Sequence, residues 1–223
     1  MGRHQPHFVR DYRRVVANYL AAHPLDKAME LAVGGGDYEI NGRLECDILV
    51  DCGLKHGHAL VDIGCGSGRL STELTKRYGD HIKYLGLDVV PALLDYARSK
   101  VSSGYTFETT EGLAIPIGDD AADYVAAFSV FTHLKRWETR AYLREAHRAL
   151  RSGGLLIFTF LELPRHRREF LYTIAVTLLR RRKVQNHFLS RGSIRRWARE
   201  MGFEIQTIGP HSIGQSVAVL RKL

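Results

Sequence analysis

VDIGCGSGRL, residues 61–70, decides how this chain folds. Its start completes a short apolar run, HALVDIG, that begins at His58, and its end opens a helical pattern running to about Tyr78. Glycines stand at 64, 66 and 68, where the strand gives way to the helix. Glycine lets the backbone turn tightly and approach a ligand with no Cβ in the way, while unpaired N–H groups at the helix start face outward. The spacing is GxGxG. The dinucleotide pattern GxGxxG wants its third glycine at position 69, where Arg69 stands, and this disfavours NAD.

Working outward, the next strand run, IKYLGLD, ends on Asp88, 20 residues after Gly68. A carboxylate at that strand end either accepts both hydroxyls of a ribose or caps the helix that Pro91 opens. Beyond it come YTFETTE, ADYVAAFSV, a helix through Trp137 to Leu150, and GLLIFTF after Gly153 and Gly154. Val-, Ile- and Leu-rich runs separated by helices describe a parallel sheet covered on both faces, wound by right-handed crossovers. The last two runs, FEIQTIG and QSVAVLRKL, are joined by Pro210 to Gly214 alone, too short for a helix, so they pair antiparallel. The expected fold is α/β: a doubly wound, Rossmann-like, mostly parallel seven-stranded sheet that ends on a C-terminal antiparallel strand.

Upstream, Phe8, Tyr12, Val15, Val16, Tyr19 and Leu20 recur at the spacing of one helical face. Gly34, Gly35 and Gly36 interrupt that pattern, and the following Asp37 and Tyr38 belong either to a segment that closes over a pocket or to a plain surface loop. Residues 1–55 are accordingly expected to form a helical cap on a domain spanning 56–223, the whole being one compact unit.

With these residues in place the chain resembles the class I S-adenosylmethionine-dependent methyltransferases over about Gly53 to Glu162. VDIGCGSGRL resembles their first motif and LGLDVV their second. The resemblance implies that the backbone of Gly64, Gly66 and Gly68 meets the methionine part of the cofactor, with Cys65 in the same loop. It also implies that Asp62 orients the amine, Asp88 takes the ribose, and Val89 and Ser129 lie alongside. The third motif of the family, which reads the adenine, matches Glu111, Gly112 and Leu113, with Glu where Asp is usual. LAIPIGDDAADYVAAFSVFTHL resembles the fourth-strand region of the branch that acts on small molecules, and RALRSGGLLIFTF the usual turn into strand five. The implied cofactor is S-adenosylmethionine.

In such a fold the acceptor lies beyond the carboxyl ends of the strands, here Ser129 to His133. His133, with an ordinary value near pH 6.5, either takes a proton from an acceptor hydroxyl or fills the pocket wall while Thr132 caps the next helix. Glu162, His187 and Arg191 are further candidates, each also readable as a solvated or ion-paired surface residue. His56 and His58 lack further ligands at metal spacing, so no metal is expected.

The composition suits one globular domain: 223 residues, 45% hydrophobic and 25% charged. The longest apolar stretch, Phe170 to Leu179, is far short of the roughly 20 residues of a spanning helix, and the N-terminus lacks a signal-peptide core. Three cysteines without a CxxC pair point to a reducing compartment, hence the cytoplasm. The net charge of +8 is local: residues 165–199 hold eleven basic side chains and the single acid Glu169, so the rest is slightly acidic. The stretch 165–183 is either a helix lying on an anionic membrane surface, near a lipid-linked acceptor, or a lid helix with solvated arginines. The leading function is methylation of a small-molecule hydroxyl, on a sugar, glycolipid or secondary metabolite. RNA methylation suits the basic segment, but FSVFTHL has no proline where base-amine enzymes commonly carry a Pro-Pro-Tyr motif, and no RNA-binding module is recognisable, so nucleic acid is disfavoured. A non-catalytic cofactor-binding subunit is the remaining alternative.

Overall fold

Strand β1 (Ala59–Ile63) is flanked on both sides by parallel partners, β2 (Lys83–Asp88) and β4 (Ala122–Ala127), which puts its carboxyl end at the middle of the sheet. The structure is a computed structural model describing residues 7–34, 37–163, 165, 167, 170–171 and 186–223. Helices α1 (His7–Ala22), α2 (Leu25–Ala32) and α3 (Tyr38–Asp51) precede β1. Then α4 (Arg69–Tyr78) leads to β2, α5 (Pro91–Lys100) to β3 (Thr106–Thr109), and α6 (Arg136–Ala149) follows β4 and leads to β5 (Leu150–Glu162). The described remainder is β6 (Phe188–Leu189), α7 (Arg191–Glu200), β7 (Phe203–Pro210) and β8 (Ser216–Lys222).

The strand order is β3-β2-β1-β4-β5-β8-β7, with β6 paired to β5 off this path. From β3 to β5 all neighbours are parallel; β8 runs antiparallel to both β5 and β7. The expected doubly wound, mostly parallel sheet is therefore present, with the two-residue β6 as an addition. The reversed strand is last in sequence but interior in space. The tight β7–β8 turn folds β7 outward to the edge and leaves β8 to pair with β5 from Leu155↔Arg221 to Phe160↔Ser216.

Alternate residues of each strand feed two cores. Val125 and Ala127 of β4 pack with Tyr142, Leu143 and Ala146 of α6 and with Ile194 and Trp197 of α7. Tyr124 and Ala126 face the other way, toward Leu49 of α3, Leu70 and Leu74 of α4, and Leu94 and Ala97 of α5. Fully buried side chains such as Phe158, Phe160 and Trp197 each contribute about 1.5 to 3 kcal/mol by leaving water.

The N-terminal helices differ from expectation in two respects. The first helix stops at Ala22, because Pro24, which has no N–H to donate, begins α2. Its buried face runs through Val9 and Val16, while Leu20 is exposed. Val9, Val16, Met29 and Ala32 pack against Val89, Val90 and Leu93, so α1 and α2 sit on the start of α5 at the carboxyl edge of the sheet. The expectations for 165–183, a surface helix or a lid, fall almost wholly outside the described residues. Among the described residues no helix is long and apolar enough to cross a membrane.

Candidate active site

The glycine loop hangs from the end of β2. Gly64 and Cys65 both donate their N–H to the carbonyl of Leu87, at 2.7 and 3.0 Å. Gly66 donates to Oδ2 of Asp88 at 3.0 Å, and Val90 to Oδ1 at 2.9 Å. Asp88 thus supports the turn into α5 and the loop together, and each carboxylate oxygen keeps a lone pair for a further donor. Burial pushes its carboxyl up to about 6, while the N–H groups of Val90 and Gly66 pull it down. Gly64 and Gly66 have φ of +69° and +56°, in the left-handed region. A Cβ on Gly64 would stand 2.5 Å from Cγ2 of Val130, and one on Gly66 2.4 Å from Cγ1 of Val33, so only glycine fits at either place.

Asp62, at the end of β1, is buried and accepts the Tyr84 hydroxyl at 2.7 Å. Burial raises its carboxyl to about 8, against the pull of that hydroxyl. A carboxyl held so high gains most from a cation placed beside it.

Arg69, the residue that breaks the dinucleotide pattern, reaches back to the N-terminal helices. Its Nε donates to Oε2 of the buried Glu45 at 3.1 Å, Nη2 bonds Oε1 of the same carboxylate, and Nη1 donates to the carbonyl of Val33 at 2.8 Å. The Tyr38 hydroxyl donates to the carbonyl of Ser67, and the Ser67 hydroxyl to that of Met29, both at 3.0 Å. Arg13 of α1 donates to the carbonyl of Val89 at 2.8 Å and pairs with Glu111 at 3.0 Å. The first three helices are thereby fastened over the loop.

Beneath them lies a cavity of about 930 Å³. Of the residues singled out in the sequence, Asp62, Gly64, Cys65, Asp88, Val89, Ser129 and His133 line it. Gly66 is covered by Val33, and Gly68 packs against Ala97 and Ser71. Glu111, Gly112 and Leu113 are not in the lining: Glu111 is largely exposed on Arg13, the Gly112 carbonyl accepts the Tyr142 hydroxyl at 3.2 Å, and Leu113 packs against the core. Thr110 and Tyr142 line the cavity instead. Sequence reasoning missed these two and Tyr12, which reads as ordinary helix packing but whose hydroxyl donates to the carbonyl of Ala32 at 2.5 Å.

The far wall follows β4. Ser129 has φ of +59°, unusual for a residue with a side chain. Three contacts hold it there: its N–H donates to Thr159 Oγ1 at 2.6 Å, its hydroxyl accepts from Gln215 at 3.0 Å, and its carbonyl accepts the Thr132 hydroxyl at 2.8 Å. Thr132 therefore braces this turn and does not cap α6, whose start is closed by Glu138 accepting the Lys135 N–H at 2.7 Å. The His133 ring lies 6.5 Å from the Tyr12 ring, centroid to centroid, across the cavity.

The further candidates separate. His187 lines the cavity, and its main-chain N–H donates to the Thr132 carbonyl at 2.6 Å. Glu162 and Arg191 form a two-point ion pair at 2.5 and 2.9 Å, which the Ser216 hydroxyl joins. His56 stacks on His81 and His58 packs on Tyr124, both away from the cavity. Among the described residues no three His, Cys, Asp or Glu side chains converge as a metal site.

Comparison with known proteins follows the same lines. A family model described as a methyltransferase domain matches residues 60–154. Methyltransferase GfsG of Streptomyces halstedii is 30% identical over 105 residues, 45% of this chain and 36% of that protein. Malonyl-[acyl-carrier protein] O-methyltransferase 1 of Coxiella burnetii is 33% identical over 102 residues, 45% of this chain and 32% of that protein. The chain thus spans about a third of the length of these two relatives. Among solved structures, magnesium protoporphyrin IX methyltransferase (ChlM) of Synechocystis, with bound SAH, superposes with a TM-score of 0.70 at 19% identity, covering 97% of this chain and 99% of that one. Residues 60–154 carry a methyltransferase domain, and the fold of the chain as a whole is similar to that of S-adenosylmethionine-dependent methyltransferases of known structure.

Proposed function

We propose that the chain transfers a methyl group from S-adenosylmethionine to a hydroxyl of a small molecule such as a sugar, glycolipid or secondary metabolite. The observation that carries this reading is Asp88, a buried carboxylate built into the glycine loop and facing a cavity that extends to His133. The residues present fit the cofactor: Gly64 brings bare backbone to the cavity wall, Asp88 is a carboxylate with acceptor capacity left for ribose hydroxyls, and the buried Asp62 at the end of β1 is a second carboxyl that suits an amine. When bound, the cofactor supplies a methyl group on a sulfonium.

This chain's own residues do the remaining work. Asp88 and the loop fix one end of the reaction line, and the wall from Ser129 to His133 fixes the other. Holding the two reactants in line supplies most of the catalysis in a simple displacement. His133 receives the hydroxyl proton on a ring nitrogen as the methyl arrives. The wall supports an acceptor with an apolar body, since Phe8, Val15, Leu134 and Ile213 contribute to it. Leu161 and Asn186, which line the cavity, flank the basic stretch 165–183 in the sequence, and its charge supports an acceptor drawn from an anionic lipid surface.

The test is transfer of label from methyl-labelled S-adenosylmethionine into a whole-cell extract that is then separated into lipid, RNA, protein and small-molecule fractions. Label in the small-molecule or lipid fraction, lowered by about 100-fold or more in His133→Ala, is the expected result. Label in RNA alone contradicts the acceptor class, and full turnover by His133→Ala contradicts the base.

A further inference from the structure

The cavity is lined by groups of both signs. Asp62 and Asp88 stand at the ends of β1 and β2, Glu45 is matched by Arg69, and the buried Asp11 of α1 lies 3.8 Å from Arg14. Two cations also line the cavity, Arg10 of α1 and Lys135 at the start of α6, both exposed. Among the described residues neither makes an ion pair, whereas the neighbouring Arg13 and Arg14 do, with Glu111 and Asp11. The segments that bear them approach one another where the Tyr12 and His133 rings lie 6.5 Å apart. The acids nearest in sequence are engaged elsewhere. Asp11 is buried and lies 3.8 Å from Arg14, and Glu138 is buried and accepts the Lys135 N–H.

Two unpaired cations at the rim of a largely apolar cavity are matched by a ligand that brings an anionic head and an apolar body. Arginine offers a planar fork that fits a carboxylate or phosphate at two points, and lysine adds a compact charge.

We propose that the acceptor carries an anionic group, a carboxylate or a phosphate, that docks on Arg10 and Lys135 at the rim of the cavity. The proposal rests on the methyltransferase reading, and it narrows the acceptor to a charged molecule, whether soluble or lipid-borne. Arg10 and Lys135 select and orient this acceptor, and the bond-forming end of the cavity is left to Asp88, Ser129 and His133.

The experiment uses the full chain saturated with S-adenosylhomocysteine and three probes of one chain length: octanoate, octyl phosphate and 1-octanol. Titration calorimetry is expected to show at least one of the two anions binding about tenfold or more tightly than the alcohol. The tighter anion identifies the head group. In the double variant Arg10→Gln/Lys135→Gln that preference disappears while affinity for S-adenosylhomocysteine is unchanged, which shows that the variant is folded. Equal binding of the three probes, binding of none, or a preference that survives in the double variant overturns the proposal. Failure of the wild-type chain to bind S-adenosylhomocysteine overturns the underlying reading instead. The head group being established, anionic vesicles bearing it distinguish the sources: sedimentation of wild type and not of the double variant assigns a lipid-borne acceptor, and no sedimentation a soluble one.

Discussion

Gly66 donates its backbone N–H to Oδ2 of Asp88 at 3.0 Å, so the acid that ends β2 is part of the loop that ends β1. Removing the carboxylate therefore has two effects. Asp88→Ala leaves the N–H groups of Gly66 and Val90 without their acceptor inside the protein, at a cost of about 1 to 3 kcal/mol each if they stay buried. It also removes the acceptor for ribose, and the expected loss of cofactor affinity is about tenfold or more. Denaturant unfolding and calorimetry measure the two separately.

Gly66 tests the contact between loop and N-terminal helices. Gly66→Ala forces a Cβ to within 2.4 Å of Val33 Cγ1 at a positive φ, where alanine is strained. The expected destabilisation is about 1 to 3 kcal/mol. Adding Val33→Ala relieves the steric part and leaves the backbone part, so the double variant recovers some but not all of the lost stability. A double variant no better than Gly66→Ala contradicts the contact.

Much of this was legible in the sequence, because strand periodicity, GxGxG and Asp88 are local signals. The five parallel strands, the antiparallel pair and the helix limits at Tyr78 and Pro91 follow from them. What was not legible depends on contacts between distant segments. Val33 over Gly66 and Glu45 on Arg69 join positions 33 and 24 residues apart, and no spacing rule announces them. Glu111 illustrates the same limit: its motif position suggested adenine, whereas its side chain pairs with Arg13, 98 residues earlier. The interior place of β8 depended on which edge the hairpin takes, which its short turn does not encode.

The Glu45–Arg69 pair is buried, and its loss is expected to be asymmetric. Glu45→Ala strands a guanidinium among the helices that cover the loop and costs about 3 to 5 kcal/mol. Replacing both residues with apolar ones of similar size, Glu45→Leu/Arg69→Met, costs much less, because no charge is left behind. A double-mutant cycle in denaturant gives the comparison.

The pH dependence follows from two raised carboxyls. Asp88 titrates near about 6 and Asp62 near about 8 in the folded chain, both above their ordinary value of 3.8. Between that value and the raised ones the folded protein holds protons that the unfolded chain has released. Stability contributed by these groups is fully present below about pH 4 and is lost as pH rises through about 6 and then about 8. Asp62→Asn, which keeps an oxygen for Tyr84, is expected to flatten the upper part of this decline. Unfolding midpoints across that range check it, and an unchanged slope contradicts the assignment to Asp62.

The most direct test of the account is a calorimetric titration of the intact chain with S-adenosylhomocysteine and, in parallel, with NAD. Saturable binding of S-adenosylhomocysteine, weakened about tenfold or more by Asp88→Ala and absent for NAD, is the result expected from the loop and its acid. Equal binding of the two ligands, or an affinity for S-adenosylhomocysteine that Asp88→Ala leaves unchanged, would contradict it.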